Sequence, residues 1–244
     1  MAPSQPRILS VPVLACCALP LIANLAHSQE STFEPTQWPL SSFGRVNVII
    51  SESTRRHCTG ALIGPRHVLT AAHCFFNKDR QVWVSPTSVH FVAGYHRGNY
   101  TASAPAASYE TGWTGQRGST AQDWSIIELA KPIDLKPIRV QSEGEINTPT
   151  GKIVRAGYRG DRAQLLSVQR ECTAKVVSSP APLLLHNCRS VGGESGSALL
   201  SLNGGEPQII GILVARSKHN GASPSIAVGS TTFAAAVQKA LKRR

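Results

Sequence analysis

Residues 69–74 read LTAAHC: a histidine sits inside a short apolar run and a cysteine follows it directly. Two readings compete for His73. In one it is a core imidazole with its hydrogen bonds satisfied, beside a structural thiol. In the other it is a catalytic base whose ring must be held still. The hexapeptide alone does not choose between them, so the decision rests on what the rest of the chain supplies.

Two further stretches supply partners. QDWSIIEL carries Asp123, and GGESGSAL carries Ser195. A serine hydroxyl is a weak nucleophile at neutral pH and needs a base within hydrogen-bond reach. An imidazole suits that task, because its unperturbed pKa of ~6.5 lets it take up and return a proton near neutrality. The base in turn needs a carboxylate that fixes its tautomer and stabilises the imidazolium. Glycines beside the serine let backbone N–H groups point at a developing oxyanion. Gly193 and Ser195 are the expected oxyanion-hole donors, with Gly196 keeping the turn open. Singly, each signal is modest: a serine among glycines is usually a turn, and an aspartate before a strand is usually a loop residue. Together, in the order His, Asp, Ser, they predict a catalytic triad of His73, Asp123 and Ser195.

With these residues in place the chain resembles the chymotrypsin/trypsin superfamily of serine proteases. CTGALIGPRHVLTAAHC (58–74) is similar to its histidine region almost throughout, with Cys58 and Cys74 at the spacing of the disulfide that pins the histidine loop. DWSIIEL, AGYRGDR and HNCRSVGGESGSALL are similar to segments of the compact bacterial secreted branch, which includes the V8-like glutamyl endopeptidases. The resemblance covers about residues 43–235. It implies an all-β fold of two six-stranded antiparallel barrels (chymotrypsin-like), with the site in the cleft between them. His73 and Asp123 would come from the first barrel and Ser195 from the second. The implied function is a serine-type endopeptidase acting through an acyl-enzyme, with no cofactor and no metal.

The match has departures. The usual Gly-Asp-Ser-Gly-Gly reads Gly-Glu-Ser-Gly-Ser here, with Glu194 and Ser197 as substitutions. FGRVNVII offers an Arg45–Val46 bond, but Val46 lies too close to Cys58 for a freed amino terminus to insert as in trypsin-like zymogens. No such activation switch is expected, and Glu194 is expected to pair with another cation. Counting back six residues from Ser195 gives Arg189 at the expected base of the primary pocket. Arg216 falls near its rim, His186 adds a donor, and Val191 and Val214 line the walls. A guanidinium there rejects Lys and Arg by like-charge repulsion and binds a carboxylate. In the alternative, Arg189 turns away to pair with Glu194 and leaves a small or apolar pocket.

The remaining features are consistent with this reading. Arg7 precedes an apolar run from Ile8 to about Ala26, and the small residues of AHS follow, which is the layout of a secretory signal peptide (1–28) cut after Ser28. A membrane anchor is the rival, but Pro12 and Pro20 interrupt the run; a lipoprotein signal ending at Cys16 is weaker still. A secreted or periplasmic location follows, with no stable membrane anchor after signal removal. Cys58, Cys74, Cys172 and Cys188 remain in the mature chain, an even number that predicts two disulfides in an oxidising compartment. Of three possible pairings the sequence-near one, Cys58–Cys74 and Cys172–Cys188, is chosen. No Cys-x-x-Cys or His-Glu-x-x-His supports a zinc site. The formal charge of +11 comes from scattered cations without aromatic interleaving, so no nucleic-acid partner is expected. The expected partner is a protein or peptide substrate, met by a monomer.

Short apolar or alternating runs (RVNVII, TGALI, HVLTA, SVHFVAG, SIIEL, KIVRAG, SALLSL, QIIGILVA) are separated by turn residues and predict many short strands. Residues 29–42 read as a polar leader and 103–122 as a long loop. KPIDLKP (131–137) marks the join between an N-terminal barrel (43–135) and a C-terminal barrel with its helix (136–244). TTFAAAVQKALKRR is the one convincing helix, with Phe233, Val237 and Leu241 at i, i+4 and i+8. Two rival functions compete with this reading. A lipase-type α/β hydrolase carries its serine before the acid and histidine, the reverse of the order here. A catalytically weak or inactive protease-like binding protein keeps the fold, and only Glu194 speaks for it.

Overall fold

The computed structural model describes residues 30–115, 120–142, 151–177, 181–203, 205–216 and 224–243. The expected signal peptide lies outside them. The strands of the first body are β2 (Phe43–Ile49), β3 (Arg55–Gly64), β4 (His67–Thr70), β7 (Val89–Ala93), β8 (Ala102–Thr111) and β9 (Ser125–Leu129), with β5 (Phe76–Asn77) and β6 (Val82–Trp83) forming a short side ribbon. The second body takes β1 (Glu30–Phe33), β10 (Arg139–Val140), β11 (Ile153–Tyr158), β12 (Leu166–Cys172), β13 (Ala174–Val176), β14 (Leu183–His186), β15 (Ala198–Ser201), β16 (Gln208–Arg216) and β17 (Ser225–Gly229). Helix α1 (Ser230–Lys242) ends the chain.

The first body closes in the order β2-β3-β4-β9-β8-β7. Its interior is filled from alternate positions: Val46 and Val48 of β2, Val68 of β4 and Phe91 of β7 are all buried, as the period-2 geometry of strands requires. Val46 pairs with Cys58 on one side and Phe91 on the other. The Arg45–Val46 bond therefore lies within a central strand and is no accessible activation site. Closure also corrects the sequence reading of 103–122. Ala102–Thr111 is a ten-residue strand, because its small side chains lie between β7 and β9 and complete the barrel; barrel pairing here overrides weak intrinsic propensity.

The all-β, two-body architecture with a C-terminal helix is as expected, but the second body differs from the first. It is a nine-stranded sheet in the order β1-β12-β11-β15-β16-β17-β14-β13, with β10 added in parallel to β16. The polar segment before the first barrel is thus part of the fold. Glu30–Phe33 pairs antiparallel with β12, and the Glu30 carboxylate accepts two hydrogen bonds from buried Arg159, at 2.6 and 2.7 Å.

Helix α1 buries Phe233, Ala234, Val237 and Ala240. The expected third anchor, Leu241, stays 43% exposed, because Ala240 takes the inward position in the last turn. Phe233 packs on Trp124 of the first body at a ring separation of 6.3 Å, so the helix steadies the segment that carries Asp123. Among the described residues no helix is long and apolar enough to cross a membrane.

Candidate active site

Antiparallel register brings the first two residues together. Thr70, the last residue of β4, pairs with Ser125, the first of β9. The chain leaving β4 and the chain entering β9 therefore meet at one end of the barrel. His73 lies in the 3₁₀ turn Ala72–Phe75 just after β4, and Asp123 lies just before β9. The His73 backbone N–H donates to Asp123 Oδ1 at 2.8 Å, and His73 Nδ1 lies 2.7 Å from Oδ2. The carboxylate thus fixes both the turn and the ring.

The ring and its neighbours differ in exposure. Ala71, Ala72, Cys74 and Phe75 are fully buried, whereas the His73 side chain is 23% exposed and Asp123 14%. The apolar neighbours are the core; the imidazole faces out of it. Its turn is held by the Cys58–Cys74 disulfide and by Arg56, whose guanidinium donates to the His73 carbonyl at 3.0 Å. His73 groups with Cys58 and Cys74 in space, but both sulfurs are consumed by the disulfide and leave no thiolate for a metal.

Ser195 arrives from the second body. Its Oγ lies 2.8 Å from His73 Nε2. Thr59 of β3 joins the two bodies at this point: its N–H donates to the Ser195 carbonyl at 2.8 Å, its hydroxyl donates to the Gly193 carbonyl at 3.3 Å, and it accepts from the Tyr158 N–H at 2.8 Å. Gly193 and Gly196 have φ of 90° and 82°, in the region that side chains disfavour. At Gly196 a Cβ would also collide with the Thr59 carbonyl at 2.2 Å. Among the described residues no protein acceptor engages the N–H groups of Gly193 and Ser195.

The cation that Glu194 was expected to need is Arg155, of the buried strand β11. Both side chains are 0% exposed, and Arg155 Nη1 lies 2.5 Å from Glu194 Oε1. The second carboxylate oxygen accepts from the Val191 N–H at 2.7 Å, and Arg155 Nη2 reaches the Arg189 carbonyl at 2.8 Å. Burial pushes the Glu194 carboxyl up, and the Arg155 charge and the Val191 amide work against it. This pair shapes the 189–195 loop from beneath. Its sequence signal is a charged residue inside the otherwise uncharged IVRAGY (153–158).

The pocket residues fall out differently from their sequence assignments. Val214 is buried and lines, with His73, Phe76 and Trp113, a cleft cavity of about 600 Å³. Arg189 is exposed and pairs with no carboxylate among the described residues, so it is neither a dry pocket floor nor the partner of Glu194, which is Arg155; the loop uses its backbone carbonyl. His186 is also no donor to a substrate. It is 1% exposed, its ring nitrogens lack hydrogen-bond partners among the described residues, and burial with nearby Arg155 pushes its pKa down to about 3. Val191 is half-buried above Glu194. Arg216 is exposed, with Nη1 3.4 Å from the Ser190 carbonyl. Behind it Ser190 Oγ lies 2.7 Å from Ser225 Oγ, which donates to the Cys188 carbonyl at 3.0 Å. The Cys172–Cys188 disulfide closes this wall.

Comparison with known proteins gives a consistent outcome. The family model described as Trypsin matches residues 34–237. A glucanase inhibitor protein 3 of Phytophthora infestans is 32% identical over 106 residues, 42% of this chain and 40% of the relative. A glutamyl endopeptidase of Bacillus licheniformis is 28% identical over 144 residues, 57% of this chain and 44% of the relative. The chain thus spans less than half the length of these curated relatives. A solved structure of a Glu endopeptidase superposes with a TM-score of 0.71 at 19% identity, over 89% of this chain and 99% of that one, a likeness of fold.

Proposed function

The chain belongs to the trypsin family, and from that premise we propose that it is a secreted serine endopeptidase. The observation that carries the reading is the hydrogen-bonded line Asp123–His73–Ser195, with steps of 2.7 and 2.8 Å. With Nδ1–H directed to Asp123, Nε2 is free to accept the Ser195 proton as Oγ attacks a peptide carbonyl. The tetrahedral oxyanion then faces the N–H groups of Gly193 and Ser195. The imidazolium, stabilised by Asp123, passes the proton to the leaving amine and an acyl-enzyme remains. Water, activated by the same histidine, releases the acid.

Arg155 replaces a freed amino terminus as the partner of Glu194, so the enzyme needs no cleavage at Arg45–Val46 to order its serine loop. Cleavage after Lys or Arg is not expected: the Arg216 guanidinium lies by the wall built on Ser190 and Ser225, and like charge there disfavours a cationic side chain. Two disulfides suit an oxidising, extracellular setting. The substrate is a protein or peptide, and the working unit is a monomer.

A second reading, a protease-like binding protein with little turnover, draws on the similarity to a glucanase inhibitor. A fluorophosphonate probe separates the two. The peptidase reading expects labelling of folded wild-type protein that is lost in Ser195→Ala, while unlabelled folded protein favours the binding protein. Peptide-library profiling then tests specificity, and cleavage chiefly after Lys or Arg would overturn the pocket assignment.

A further inference from the structure

The outer face of the first barrel carries a second cavity, of about 560 Å³, that the chemistry above does not use. Three neighbouring strands build it. Asn47 of β2 pairs with His57 of β3 on one side and His90 of β7 on the other, and Ile49 of β2 pairs with Arg55. Arg45, Arg55, Arg56, His57 and His90 all line it, and no carboxylate does. A surplus of cations, 25 Lys and Arg against 14 Asp and Glu, accounts for a basic surface but not for five basic side chains gathered in one concavity. Burial, with Arg45 beside it, holds the His57 imidazole below its ordinary value, and burial with Lys131 does the same at His90. Arg45 and Arg56 are anchored to the carbonyls of Ala163 and His73. Among the described residues Arg55 and His90 engage no protein acceptor with their side chains. The charge of the wall is that of the three guanidiniums, with the two imidazoles as N–H donors beside them, and a concave wall of one sign focuses its field outward on a ligand of the opposite sign.

One residue of this cavity, His57, reaches the serine loop. His57 Nε2 lies so close to Gly193 that a Cβ there would stand 2.5 Å from it. The basic wall therefore begins beside Gly193, and the serine loop lies between it and β16: the Thr59 N–H donates to the Ser195 carbonyl at 2.8 Å on one side, and the Gly196 N–H to the Leu213 carbonyl at 2.7 Å on the other. A substrate whose acyl half runs along β16 sends its leaving half toward β3. Crossing from β3 over β2 to β7 spans about 10 Å at ordinary strand spacing, or roughly three residues of extended chain.

We infer that the cavity receives the leaving-group half of an acidic polypeptide substrate, reading carboxylates within the first few residues after the cleaved bond. This rests on the peptidase reading. Arg55, with its free guanidinium, takes a carboxylate directly, and His90 meets the far end of the acidic segment. The site favours acidic leaving segments through charge at modest exposure, so the advantage is screened by salt.

Two fluorogenic peptides with one acyl half test it, one carrying three Glu after the cleaved bond and the other three Gln. The expected kcat/KM for the Glu peptide is on the order of tenfold higher at low ionic strength, as a few partly exposed charge pairs would give. The gain should lie mainly in KM and shrink as salt is added. Arg55→Gln with His90→Gln should bring the two peptides to parity while the Gln peptide is cut at the wild-type rate. Equal rates on wild-type protein, or a Glu advantage that survives both substitutions, would overturn the inference and leave the peptidase reading standing. Cleavage of neither peptide would remove both.

Discussion

The two halves of the site are held in different ways. His73 and Asp123 sit at the end of a closed barrel, where strand register, a disulfide and the Arg56–carbonyl bond all constrain one short turn. Ser195 sits on a loop of an open sheet, and beneath it lies a buried ion pair, Arg155–Glu194. The first arrangement is covalent and local. The second is electrostatic and joins residues 39 positions apart. A buried pair of this kind adds little net stability, since desolvation opposes its attraction, but breaking it leaves an uncompensated charge. Its contribution is to select one loop geometry, and Thr59 then registers that geometry against the barrel.

The largest effects should come from the residues shared by both halves. Ser195→Ala or His73→Ala should lower turnover by about 10⁶-fold with the fold intact by circular dichroism, because the residues act as a unit. Asp123→Asn should cost about 10⁴-fold through loss of the correct tautomer. Wild-type-like rates in His73→Ala would break the assignment outright.

The contrast itself is sharpened by Arg155→Met, which strands Glu194 and should destabilise by about 3–5 kcal/mol. Adding Glu194→Leu should restore most of that stability in denaturant titrations yet leave kcat depressed, since nothing then holds the Val191 N–H. Full recovery of both would show that the pair is merely structural. On the covalent side, Cys58→Ala with Cys74→Ala removes a loop closure of about 15 residues and should cost on the order of 3 kcal/mol. Turnover should fall as well, because the His73 turn loosens. Peptide mapping that found a Cys58–Cys172 link would contradict the pairing from which this follows.

The sequence carried the first half far more openly than the second. LTAAHC shows its apolar frame, and its cysteine partner lies close by, so strand, turn and disulfide were all legible there. Strand β8 was not, because Ala and Ser have no marked strand preference and only closure between β7 and β9 gives ASAPAASYET its conformation. Strand β12, LSVQREC, was missed as well, since Gln169 and Arg170 break its apolar pattern. Arg155 had a signal, a charge inside an apolar run, but its partner could not be chosen from the string. Arg189 was placed by counting along the chain, which locates a backbone position and not the direction of a side chain.

The smallest predicted effect concerns β1. Burial pushes the Glu30 carboxyl up, but the Gln169 hydrogen bond and the charges of Arg159 and Arg162 outweigh it and hold it below the usual carboxylate range. A carboxyl depressed in the folded state stabilises above its unfolded pKa and loses that contribution as pH falls through the folded value. Protection factors of residues 30–33, taken relative to the intrinsic exchange rate at each pH, should therefore fall on acidification before those of β2, and Glu30→Gln should remove that difference. Protection factors in β1 that do not change with pH would refute this role of Glu30.

The central claim, that Ser195 and His73 form a working nucleophile and base, is tested most directly by trapping the acyl-enzyme. A slowly deacylating activated ester, mixed with folded protein, should give a burst of one leaving group per chain and a mass adduct that maps to Ser195. The burst should slow by orders of magnitude in His73→Ala and vanish in Ser195→Ala. Folded wild-type protein that gives no burst and no adduct, or an adduct that persists in Ser195→Ala, would contradict it.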